Sequence, residues 1–206
     1  QMSLLPAEMP SIPGYQFAAR FLPAREVSGD FYDLIRVDDR SIGLLIGDVT
    51  GKGIPAAILM AAVRDAFNLI ARKTRSPELV MEEVNRELLG RGRSPRFVAA
   101  CYTVIDLEKK TISISSAGLC PLIWSADLRR CMEPESFSYP LGVSPRARFK
   151  RSTFPLGRGD LILLYTDGVV EAQDEKGELF GYERLERLMS ELSDLSADEA
   201  ADAVID

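Results

Sequence analysis

The distribution of apolar and polar positions divides the chain into a β-rich start, a helical middle, a second β-rich stretch and a helical end. Alternation over 15–21 and a short apolar run at 42–46 read as strands, with another over 31–37 between them. Beyond Gly53 the period changes to that of a helix. Pro55 suits a first turn, and Ile58, Leu59, Ala62, Val63, Ala66, Phe67 and Ile70 recur on one expected apolar face. Ser76-Pro77-Glu78 restarts a second helix to about Leu89, which the segment 90–95 breaks.

Strands follow at 97–106 and 111–116, joined by a polar turn at Glu108-Lys109-Lys110 with the spacing of a hairpin. Further strands are expected at 122–125, 149–154 and 161–165. Two helices close the pattern. One covers 182–192, and the other opens at Ser196 with a capping box through Glu199. Without regular strand–helix alternation, this order predicts a layered α+β fold built on antiparallel sheets. Residues 1–13, with three prolines, read as a lead-in from an upstream linker, and 14–206 as one domain.

Charge and composition narrow the function. A net charge of -6 argues against a nucleic-acid partner, because binding to a phosphate backbone requires a basic surface. The basic clusters Arg72–Arg75 and Arg91–Arg96 read as solvated helix ends. No apolar run approaches the roughly 18 residues that span a bilayer, and no signal peptide is evident, so a cytoplasmic protein is expected. Three cysteines without a CxxC pair suggest neither a disulfide framework nor a thiolate zinc site.

The chain contains no histidine. That excludes Ser-His-Asp and Cys-His nucleophile systems and histidine metal sites, and leaves carboxylates, lysine, hydroxyls or hard-metal chemistry. Several aspartates stand beside glycine where expected strands end: Gly29-Asp30 with Asp33 three residues on, Gly47-Asp48, and Asp167-Gly168. Strand ends project carboxylates from rigid supports, and converging carboxylates repel one another until a cation neutralises them. Turn chemistry is the competing explanation for any single one of these positions. The loop at 47–53 is not a phosphate-binding P-loop, since Ile46 and Gly53 stand where that motif needs glycine and serine or threonine.

The segments Val27-Ser28-Gly29-Asp30-Phe31-Tyr32-Asp33, Ile46-Gly47-Asp48-Val49-Thr50-Gly51-Lys52-Gly53 and Tyr165-Thr166-Asp167-Gly168-Val169-Val170-Glu171-Ala172 resemble successive motifs of the metal-dependent serine/threonine protein phosphatases. The match is to the bacterial SpoIIE and RsbU branch of that type 2C family. Ser116-Ala117-Gly118, Leu141-Gly142-Val143 and Phe180-Gly181 also fall in the expected places. The resemblance implies a four-layer α-β-β-α sandwich with two antiparallel sheets and a site for two manganese or magnesium ions. It implies Asp48 as the bridging ligand, the Val49 carbonyl and Asp167 on one ion, Asp30 as the ligand of the first motif, and Asp33 as a supporting group.

A two-metal site implies hydrolysis of a phosphoserine or phosphothreonine ester by in-line attack of an acidified water. The partners implied are a phosphorylated protein, specifically an anti-anti-sigma factor of the STAS fold, an upstream sensor domain and a possible homodimer. Because the helix pair follows the Asp48 loop directly, a sensor or dimer contact there would move a ligand.

Two departures stand out. Ala117-Gly118-Leu119 replaces the family's Ala-Gly-His, so Leu119 either packs or marks reduced activity. Residues 14–206 lack the family's usual last strand, whose Asp-Asp pair supplies a further metal ligand; Asp202 and Asp206 fall in an expected helix and do not replace it, so the second ion is expected to bind weakly. These departures support an alternative, a pseudophosphatase that docks a partner without turnover. A calcium-stabilised structural domain is the third reading, without an EF-hand-like run of ligands to recommend it.

Overall fold

The long apolar alternations at 31–38 and 41–49 can each bury one face only if they pair, and they do. The computed structural model describes residues 1–6, 8–23, 28–51, 53–90, 97–135 and 138–206. Val27, Lys52 and the basic stretch Arg91–Arg96, where the second helix was expected to break, lie outside these residues. The elements are a 3-10 turn (Met2–Leu4), β1 (Phe31–Asp38), β2 (Ser41–Val49), α1 (Ile54–Ala71), α2 (Pro77–Gly90), β3 (Val98–Asp106) and β4 (Thr111–Ala117). They continue with β5 (Leu122–Ser125), β6 (Arg130–Met132), β7 (Ser152–Pro155), β8 (Leu161–Leu163), α3 (Asp167–Val170), α4 (Tyr182–Leu192) and α5 (Ala197–Ile205).

Two compact units emerge. The first comprises Gln1–Pro6, Pro23–Cys120 and Pro134–Leu156, and the second Ala7–Leu22, Pro121–Glu133 and Gly157–Asp206. In the first, an antiparallel sheet runs in the order β1-β2-β3-β4-β7. Helix α1 lies against β1 and β2, and α2 against β3 and β4. Met60, Val63 and Phe67 of α1 are buried there, and the Phe67 ring tilts against Tyr102 of β3 at a centroid distance of 5.7 Å. That geometry adds a specific aromatic contact to the apolar burial.

The second unit holds a three-stranded antiparallel sheet, β6-β5-β8, with α4 packed on β5 and β6. Its core gathers Leu122, Tyr165, Val170, Leu185 and Met189. Ser196 caps α5 as expected: its side chain accepts from the Glu199 N–H while the Glu199 carboxylate accepts from the Ser196 N–H. Two orphan donors at the helix start are thereby satisfied.

Four expectations need correction. The strand over 15–21 does not form. Among the described residues the segment joins neither sheet, and its polar groups bond α5 instead: Gln16 Oε1 accepts from Ala197 N, and Arg20 contacts Asp198 and Asp202. Helix α1 does not bury Ile58, which is 67% exposed, because its buried stripe runs through Ala56, Met60, Val63 and Phe67. The strand over 149–154 shrinks to β7, and the short elements β6 and α3 escape detection because neither is long enough to show a period. Finally, α1 is long and apolar enough to cross a membrane by length and composition. It carries the charged pair Arg64-Asp65, and its buried stripe packs on β1 and β2 as a core helix does.

Candidate metal centre

Asp48 is the penultimate residue of β2, in register with Ala99 of β3, and Val49 closes the strand opposite Val98. Beyond them the chain turns. Thr50 donates its N–H to Phe97 O at 3.0 Å, and its hydroxyl accepts from Phe97 N at 3.0 Å. The strand end is thus held on the β3 side by backbone and side chain together.

On the other side lies the turn that carries Asp30. Val49 donates its N–H to Gly29 O at 3.2 Å. A Cβ added to Gly29 would overlap the Val49 carbonyl oxygen and stand 2.9 Å from Asp48 Oδ1. A backbone carbonyl and a carboxylate oxygen therefore converge on one side of Gly29, where only the absence of a side chain lets the turn approach. Asp30 follows at once. Its N–H bonds the Ser28 hydroxyl at 3.1 Å, and Ser28 Oγ donates to Asp30 Oδ2 at 3.2 Å. The Gln1 amide brackets this turn, donating to Ser28 O at 2.8 Å and accepting from Ser28 N at 3.0 Å. Asp30, Asp48 and Val49 thus belong to one neighbourhood of the first unit.

Asp33 sits differently. It is buried in β1, with Oδ2 2.8 Å from Arg64 Nε and 2.5 Å from Asn68 Nδ2, both on α1. Arg64 Nε approaches off its N–H axis, so the contact is one of charge rather than an aligned hydrogen bond. Oδ1 accepts from Leu34 N at 2.8 Å. Buried carboxylates imply a metal when no cation is at hand, and Asp33 has one. Arg64 and Asn68 stand four residues apart on one face of an apolar helix, and that spacing was the available sign of them.

Asp167 lies in the second unit. It is exposed and opens α3 two residues after buried Tyr165, with Thr166 as the cap residue. Glu171 N bonds Asp167 O at 2.8 Å, which closes the single turn. Among the described residues, no three Asp, Glu or Cys side chains are gathered as a metal cluster. The donors that do converge, at Gly29, are oxygens of the kind hard divalent ions prefer, so magnesium or manganese fits them and a thiolate-seeking metal does not.

Leu119 is buried, at 7% exposure, and its carbonyl accepts from Ser116 Oγ, in agreement with the packing alternative. Gly118 allows the close approach this needs: a Cβ there would stand 3.2 Å from Pro140 Cγ and 3.4 Å from Ala99 Cβ. All three cysteines are free; burial raises the Cys101 thiol well above its usual range and, with Glu186 and Glu133, pushes Cys131 up to about 11. Neither is a ready nucleophile.

Two antiparallel sheets, each with helices on it, define the class: this is the fold of the PP2C phosphatases. The SiaA-PP2C domain of Pseudomonas aeruginosa superposes with a TM-score of 0.77 at 20% identity, over 86% of this chain and 72% of that one. RsbX in complex with magnesium superposes with a TM-score of 0.67 at 20% identity, over 93% and 84%. The chain belongs to the Stage II sporulation protein E (SpoIIE) family, whose pattern matches residues 38–206. It is similar to phosphoserine phosphatase RsbU of Bacillus subtilis (strain 168), at 31% identity over 209 residues, and spans 61% of that relative's length.

Proposed function

We propose that this chain is a metal-dependent protein phosphatase that hydrolyses phosphoserine or phosphothreonine, with Asp30, Asp48, Asp167 and the Val49 carbonyl holding the ions. The observation that carries the proposal is the convergence of Asp48 Oδ1 and the Val49 carbonyl on Gly29, beside the turn of Asp30. The similarity to a phosphoserine phosphatase supports the reaction, and magnesium in the RsbX structure supports the kind of ion.

When bound, manganese or magnesium supplies charge neutralisation and an acidified water for in-line displacement at phosphorus. The chain's own groups do the positioning. The β2–β3 ladder fixes Asp48 and Val49, the Ser28 hydroxyl and Gln1 amide fix the Asp30 turn, and Arg64 with Asn68 holds Asp33 as a structural support. With no histidine in the chain, no imidazole serves as the general acid toward the leaving serine oxygen.

The substrate we assign is a phosphorylated anti-anti-sigma factor of the STAS fold, met in the cytoplasm as part of partner-switching control. An upstream sensor domain, acting alone or through a homodimer, would set the activity. The test is manganese-stimulated phosphate release from a phosphoserine protein by the wild type and by Asp48→Ala. Release that depends on Asp48 supports the assignment, and equal turnover by both proteins contradicts it. Stable complex formation at saturating metal without any release would favour the pseudophosphatase reading, which the apolar Leu119 motivates.

A further inference from the structure

Asn85 is a polar side chain on the buried face of α2, only 5% exposed, and the proposed chemistry does not use it. Both ends of its amide are engaged by one loop. Gly142 donates its N–H to Asn85 Oδ1 at 2.8 Å, and Asn85 Nδ2 donates to Ser144 O at 3.1 Å. The orientation is fixed by chemistry, because an N–H must face the oxygen and a carbonyl must face the NH2. Gly142 has φ of +84°, so the chain reverses there in a conformation that favours glycine.

The loop is an extension of the main sheet. Leu141 exchanges two hydrogen bonds with Val98, at 3.0 and 2.8 Å, as an isolated bridge outside any named strand. Val98 opens β3 and is the register partner of Val49. A strand end frays unless something continues its ladder, and a two-bond bridge is weak support by itself. Asn85 supplies the missing anchorage from the helix layer, so α2, the 141–144 loop, Val98 and Val49 form one connected series.

We infer that Asn85 is a positioning residue for the metal-holding end of β2: through the loop and Val98 it keeps Val49 and Asp48 in register with the Asp30 turn. The inference rests on the proposed metal site. Its structural half, the anchoring of the strand end, can be tested without metal.

Asn85→Asp is the informative variant, because it keeps the acceptor for Gly142 N–H but sets a carboxylate oxygen against the Ser144 carbonyl. Val84→Ala is the control, a neighbouring buried position on α2 without polar contacts of this kind. Each protein is titrated with manganese alone by calorimetry, and amide exchange is measured at Val49 and Thr50. Outer-shell supports typically change metal affinity by about 10-fold or more, so Asn85→Asp should weaken manganese binding by that factor. It should also speed exchange at Val49 and Thr50, whereas Val84→Ala should lower Tm without either effect.

Manganese binding and exchange like the wild type's in Asn85→Asp would overturn the inference, as would equal changes in Val84→Ala. If the wild type itself binds no manganese, the metal assignment fails, and unchanged exchange at Val49 and Thr50 then overturns the positioning role separately. Should Asn85→Asp not fold, Asn85→Ala carries the same comparison.

Discussion

The two units hold their candidate ligands in opposite ways. In the first, the nine-residue β2 carries Asp48 next to its end and the eight-residue β1 begins directly after Asp30, and the site is tied by ladder, turn and loop. In the second, strands of three and four residues precede a single helical turn that presents an exposed Asp167. Long ladders fix a carboxylate through many cooperative backbone bonds, whereas a four-residue turn fixes it through one or two. The first unit is therefore the rigid half of the comparison and the second the compliant one.

The largest expected effect is on the rigid half. Gly29→Ala forces a methyl group onto the Val49 carbonyl and against Asp48 Oδ1, and should cut manganese-dependent phosphate release by about 100-fold or more. Asp167→Asn, its counterpart in the second unit, should cut release by about 10- to 100-fold. Both are read in the same phosphate-release assay. An effect of Gly29→Ala without any effect of Asp167→Asn would remove the second unit from the chemistry.

Next in size are effects on the scaffold. Phe67→Ala empties the contact with Tyr102 under the main sheet and should cost about 3–5 kcal/mol in denaturant unfolding. Arg64→Met leaves buried Asp33 with Asn68 as its remaining α1 partner. Because Arg64 keeps some solvent access, the cost should be smaller, about 1–3 kcal/mol, by the same measurement. A loss of manganese affinity in Arg64→Met far beyond its loss of stability would return Asp33 to the ligand set.

The smallest effect concerns α5. The Ser196 hydroxyl and N–H hold the Glu199 carboxyl below its ordinary value, and Arg20 does the same for Asp202. A lowered folded-state value contributes stability above the unfolded value, about 4.3 for glutamate and 3.9 for aspartate, and that contribution is lost as pH falls through the lowered folded value. Protection of the α5 amides, taken relative to the intrinsic exchange rate at each pH, should therefore fall on acidification through pH 4 and below, and Glu199→Gln should flatten that dependence.

The same contrast explains what could be read from the chain. β1, β2, the β3–β4 hairpin, α1, α2, α4 and the Ser196 cap are legible because each carries a full period or a local capping signal. The segment 15–21 alternates like a strand but joins neither sheet among the described residues, and pairing is decided by tertiary neighbours that alternation does not reveal. At the candidate site, Asp48 stands at a strand end as expected. The partners of Asp33 and the clamp of Asn85 depend on which helix faces meet which loops, and no local pattern encodes that.

The account turns on whether Asp48 and its neighbours hold metal, and a calorimetric titration of manganese into the wild type and Asp48→Ala tests this most directly. Saturable binding by the wild type that Asp48→Ala loses is the predicted result. Identical binding curves for the two proteins would contradict it.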